Sequence, residues 1–114
     1  MTAPTLFDAL RPPVELPVDV RKLPLAERFP LWVAANGHLV EHITRLALAA
    51  ARTGSRRLSM KALFEQVRAS ASVDNGGPVP WRLDNSYTAP LARLLMERHA
   101  ELRGLFETRT RRAA

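Results

Sequence analysis

The residues whose spacing carries the most chemistry are His38 and His42. Four apart on a helical segment, their imidazoles would share one face, a geometry that can hold zinc. Glu41 stands just before the second histidine. In a zinc-protease arrangement the carboxylate follows the first histidine directly, so that it reaches the metal-bound water; here that position is Leu39. The third histidine, His99, is distant in sequence, and the chain has no cysteine. Two imidazoles fall short of a ligand set, so a metal reading is set aside. The lack of cysteine also removes thiolate nucleophiles, disulfides and iron–sulfur sites. No Ser-His-Asp arrangement stands out, and Asn75-Gly76-Gly77-Pro78 has the composition of a turn, not of a phosphate-binding loop. The expectation is a protein that is not an enzyme and uses neither cofactor nor metal.

The remaining chemistry is charge. The 114 residues include fifteen arginines and two lysines, for a formal net charge of +6. A positive excess favours a polyanionic partner, nucleic acid first and an acidic protein surface second. The preference for arginine over lysine, in a chain rich in Ala and Leu, also fits the coding bias of a GC-rich genome. Arg56, Arg57 and Lys61 cluster before and within one helical segment. Asn85, Ser86, Thr88 and Arg93 line another, and Arg109, Arg111 and Arg112 form a basic tail. Asparagine can pair with adenine and arginine with guanine in bidentate fashion, which makes Asn85 and Arg93 candidate base readers. The competing roles are helix capping for Asn85 and an ion pair with Glu97 for Arg93. Trp32, Trp81 and Tyr87 could stack on bases, but aromatic residues beside apolar helices are more often core.

The elements that position these residues follow from periodicity and breakers. Pro4, Pro12, Pro13, Pro17 and Pro24 remove amide donors from residues 1–24, which are expected to form an extended Pro-rich arm. Within it, Leu6, Phe7 and Leu10 could form one amphipathic turn that packs on the domain. Residues 25–109 form the expected helical domain and 110–114 a basic tail. Leu25–Phe29 reads as a short helix, with Pro30 in the first turn of a second segment, 31–35. Asn36 then caps a helix carrying Leu39, Ile43, Leu46, Ala47 and Ala50 on one face and stopping at Gly54. Arg56-Arg57-Leu58 suits a brief strand. Ser59 caps a helix with Met60, Leu63, Phe64 and Val67 inward, ending near Ser70. A loop follows, then an extended Trp81-Arg82-Leu83. The next helix buries Tyr87, Leu91, Leu94 and Leu95 and turns Asn85, Ser86, Thr88, Ala89, Ala92, Arg93 and Glu97 outward. A short strand is expected over 105–109.

Helix, short strand, helix, loop, helix, turn and strand is the order of a winged helix. The expected fold is therefore mainly α and winged helix-turn-helix-like, with three principal helices and short strands. The linker between the second and third helices, residues 71–84, is long for a tight helix-turn-helix. No apolar run approaches the ~20 residues that span a bilayer, and Met1-Thr2-Ala3-Pro4 lacks the start of a signal peptide, so no membrane partner and a cytoplasmic location are expected.

The run Asn36-Gly37-His38-Leu39-Val40, then Gly54, Leu58 to Arg68, Leu83 to Tyr87, Ala92 to Glu97 and Leu105 to Arg109 resembles a family of small uncharacterised phage and prophage proteins. The resemblance covers roughly residues 29–109 and implies a winged-helix-like domain in a mobile-element setting; it implies no activity. This sequence departs from the family at Asp84-Asn85-Ser86, where a doubled Asn precedes the Tyr, and at Pro90. The first functional expectation is a non-enzymatic, double-stranded-DNA-binding protein of winged-helix type, in the manner of a phage or prophage regulator. The rival is a protein-binding module or inhibitor acting on a host or phage enzyme, in counter-defence or assembly.

Overall fold

The computed structural model describes residues 11–106 and is mainly helical. Five α-helices appear among the described residues: α1 Val18–Arg21, α2 Leu25–Ala35, α3 Gly37–Arg52, α4 Met60–Asn75 and α5 Thr88–Arg98. Two 3₁₀ turns, Asn85–Tyr87 and Ala100–Leu102, bracket α5. None of the helices is long and apolar enough to cross a membrane.

Helix α3 lies at the centre, with α2, α4 and the Ala100–Leu102 turn packed around it, and α5 packs on α4. The i, i+4, i+8 residues Leu39, Ile43 and Ala47 are fully buried. They meet Val67 of α4, Leu91 and Leu95 of α5, and Leu102 in one core cluster. The α3 stripe is broader than expected: Val40 and His42 are also buried, whereas Leu46 and Ala50 are half-exposed.

Helix α2 is a single helix with Pro30 inside it, not the expected pair of segments. Proline at its sixth position removes one intrahelical hydrogen bond. Pro30 is exposed and the helix continues to bury Trp32. Helix α4 runs five residues past the expected end at Ser70. Its apolar stripe goes on to Ala71, which is buried, and the Ser72 hydroxyl donates to the Arg68 carbonyl (2.9 Å) within the helix. Polar residues there decorate an outer face and do not end the helix. Gly76, at φ +75°, makes the stop. Its N–H and that of Gly77 bond to the Val73 and Ser72 carbonyls, a double cap that needs the left-handed conformation.

Neither of the two expected strands forms among the described residues, and residues 107–109 of the second lie outside them. Residues 56–58 and 105–106 do meet, but through an isolated parallel bridge, Leu58 with Phe106, in which the Leu58 N–H donates to the Leu105 carbonyl (2.8 Å). The stretch 81–83 has no strand partner. Arg68 takes its place: Nε donates to the Trp81 carbonyl (3.0 Å) and an Nη to the Val79 carbonyl (3.3 Å).

The described part of the arm is not uniformly extended. Residues 18–21 form α1, and Leu16 is buried in the core cluster. Asn36 was expected to cap α3, yet its side chain caps nothing. Fully buried, it accepts from the Val14 N–H (2.6 Å) and donates to the Val14 and Trp32 carbonyls. His38 Nε2 lies 3.2 Å from the Pro12 carbonyl. The amphipathic turn expected at Leu6, Phe7 and Leu10 lies outside the described residues, as does the basic tail.

Candidate nucleic-acid interface

Two groups of basic and polar side chains carry the candidate interface. The first sits where α3 turns into α4. Gly54 (φ +95°) ends α3 and lets the chain double back, and the Leu58 bridge fixes the backbone that follows. The Ser59 hydroxyl accepts from the Ala62 N–H (3.1 Å), so α4 is capped as expected. Arg56, Arg57 and Lys61 therefore project from a short, anchored segment and all three are exposed. None has an ion-pair or hydrogen-bond partner among the described residues.

The second group lies at α5. Asp84, and not Asn85, caps the Asn85–Tyr87 turn that leads into α5: its Oδ1 accepts from the Ser86 N–H (2.9 Å). Asn85 is exposed and its side chain has no partner among the described residues, which removes capping as its role. Ser86 and Thr88 are committed elsewhere. The Ser86 hydroxyl accepts from Arg28 (3.4 Å), and that of Thr88 donates to the Asn85 carbonyl (2.7 Å). Pro90 is the third residue of α5, where no intrahelical donor is needed. Ala89, Arg93 and Glu97 form an exposed stripe at i, i+4, i+8, and no Arg93–Glu97 ion pair forms. Ala92 is buried, against the expectation that it faces out, and Leu94 is half-exposed while Leu91 and Leu95 fill the core. The inward face of α5 is thus rotated slightly from the one read off the sequence. Arg109, Arg111 and Arg112 lie outside the described residues.

Beside these groups stand arginines that sequence reasoning did not single out. Arg28 bridges distant parts of the chain. Its Nε donates to the Tyr87 hydroxyl (3.2 Å), and its two Nη atoms donate to the Leu23 carbonyl (3.0 Å) and the Ser86 hydroxyl (3.4 Å). Its guanidinium lies 5.6 Å from the Tyr87 ring centre. Tyr87 in turn stacks on Trp32 at 4.6 Å and 19°, with Phe29 alongside at 6.0 Å. Both Trp32 and Tyr87 are buried, so they serve as core. Arg82 is exposed; with Glu65, Arg68 and Asn85 it lines a depression of about 90 Å³ between α4 and the linker. Only contacts across more than fifty residues of chain reveal Arg28's place, and no local pattern signals them.

These features define a small, mainly helical domain in which Arg56, Arg57, Lys61, Asn85 and Arg93 are exposed and without side-chain partners among the described residues. No protein-family model, curated protein or solved structure matches the chain.

Proposed function

We propose that this protein binds double-stranded DNA in the manner of a winged helix, with α5 as the reading helix and the α3–α4 junction on the phosphates. The observation that carries the reading is the state of the cations. Arg56, Arg57, Lys61 and Arg93 are exposed and have no acidic or carbonyl partner among the described residues. Exposed guanidinium and ammonium groups left unpaired are available to displace counterions from a phosphate backbone. Asn85 and Arg93 are the two base readers of choice, and both present free side chains. Ser86 and Thr88 hold the turn that aims Asn85. The connection from Gly76 to Asp84 remains longer than a tight helix-turn-helix uses. Arg68 compensates by holding its backbone against α4. The resemblance to small phage and prophage proteins suggests a mobile element as the setting.

The test is selection of a preferred duplex from a random pool, followed by anisotropy titrations. Raising salt from about 50 to 200 mM should weaken binding by at least about tenfold, as several phosphate contacts require. Arg93→Ala should fold normally and lose about 1–3 kcal/mol of binding to the selected site. Arg56→Ala should weaken selected and unrelated duplexes alike. Affinity that is flat across this salt range, or no enrichment at all, overturns the reading in favour of a protein partner.

A further inference from the structure

Apart from the outer face of α5, the molecule has a cleft of about 490 Å³ between the arm (13–16), the α1–α2 region and residues 80–84 of the linker. Its volume falls within the range of ~300–1,000 Å³ typical of small-ligand sites. Three arginines line it, Arg21, Arg28 and Arg82, together with Trp81 and the acidic residues Glu15 and Asp84; Arg82 also borders the smaller depression beside α4. We propose that this cleft binds a nucleotide, a flat base joined to a phosphate.

The argument begins with Arg28. It is half-buried, and each of its three hydrogen bonds goes to a neutral oxygen: a carbonyl, a phenol and a serine hydroxyl. A guanidinium carries five N–H donors, so donors remain after these bonds are made. A partly desolvated cation satisfied only by neutral groups gains most from an anion brought within reach. Neither Arg21 nor Arg82 has an ion-pair partner among the described residues, although Glu15 and Asp84 line the same cleft. Arginine forks match the geometry of phosphate oxygens. Three arginines line one recess, with Arg28 pinned in place, and together they would supply the forks of a phosphate site.

The rest of the lining suits a base. Trp81 is half-buried, so part of its indole is open to stack on a heterocycle. The Trp32–Tyr87 stack closes the cleft with apolar surface behind it. Asp84 spends Oδ1 on the Ser86 N–H, which leaves carboxylate lone pairs for an amino or hydroxyl group of the ligand. A wholly apolar ligand would leave the cations unanswered, and inorganic phosphate would leave the indole and the carboxylates unused. A free mononucleotide and the phosphorylated end of a single strand offer the same chemistry. The proposal does not rest on the duplex-binding reading, because Arg93 is no part of this lining.

The test is titration of the full chain with the common nucleoside 5′-monophosphates, the corresponding nucleosides, inorganic phosphate and a short 5′-phosphorylated single strand. The readout is the NMR signal of the Trp81 indole N–H, with binding constants from calorimetry. At least one monophosphate or the strand should saturate and shift that signal. Its nucleoside should bind about tenfold more weakly, and exposed-residue variants Arg21→Gln and Arg82→Gln should each lose about five- to tenfold at unchanged Tm. Arg93→Ala should leave this binding as it is. Tighter binding of the strand than of monophosphates assigns the site to strand ends, and the reverse order assigns it to free nucleotides. The proposal is overturned if no phosphorylated probe moves the Trp81 signal, if nucleoside and nucleotide bind equally, or if both arginine variants bind like the wild type.

Discussion

The side chain of Asn36 stands in for the strand partner that residues 12–16 lack. Its amide offers one acceptor and one donor to the N–H and C=O of Val14, the same pair a neighbouring strand would offer. A third bond, to the Trp32 carbonyl, fixes the amide against α2. Asn36→Ala should therefore lower stability by about 1–3 kcal/mol in urea titrations and make the arm more open to limited proteolysis. Unchanged stability and unchanged cleavage would show that the clamp contributes nothing. His42 makes a second prediction at this scale. Burial, and then the positive charge of Arg45, lower its pKa from the ordinary 6.5. The folded state thus takes up a proton less readily than the unfolded chain, so His42 contributes stability that is fully present above pH 6.5 and is lost as pH falls below it. Melting temperature should decline as pH drops from about 6.5 towards 5, the range in which imidazoles charge, and His42→Gln should flatten that decline. An identical slope in the variant would place the titrating group elsewhere. The spacing of His38 and His42 was legible in the sequence; the burial of one and the tie of the other to the arm were not, because both depend on what packs against α3.

At the scale of elements, α5 shows how far periodicity reaches. Apolar spacing located the helix, and it placed Tyr87, Leu91 and Leu95 inside correctly. It also assigned Leu94 to the core and Ala92 to the surface, and the structure reverses their emphasis. A stripe on a helix is wide enough for either neighbour, and the choice falls to the elements that close over it. Leu95→Ala should then cost about 2–5 kcal/mol, because it empties a fully enclosed site. Leu94→Ala, at the half-exposed margin, should cost roughly 1–2 kcal/mol, since less apolar area returns to water. Equal losses in denaturant melts would contradict this division. The length of α4 was misread for a related reason. Ser70, Ser72, Asp74 and Asn75 look like loop residues, yet they occupy the side of a helix whose other side still buries Ala71.

Over the whole molecule, the described residues form a single core to which the arm contributes Leu16, so the arm is anchored at both the backbone and the side-chain level. The sequence by itself determined the helical class, the positions of α3, α4 and α5 to within a few residues, and the existence of a basic surface. These follow from local spacing, from glycine stops and from composition, which need no knowledge of distant partners. Tertiary structure alone decided which polar groups are free. Asn85 and Arg93 stand open, whereas Ser86 is engaged by the distant Arg28. It also decided that residues 81–83 rest on Arg68 and not in a sheet, and that Arg21 and Arg28 line one cleft with the distant Arg82. The physical reason is the same in each case. Hydrogen bonds and charge pairing are settled by whatever group comes within about 3 Å, and for these residues that group is contributed by chain many positions away.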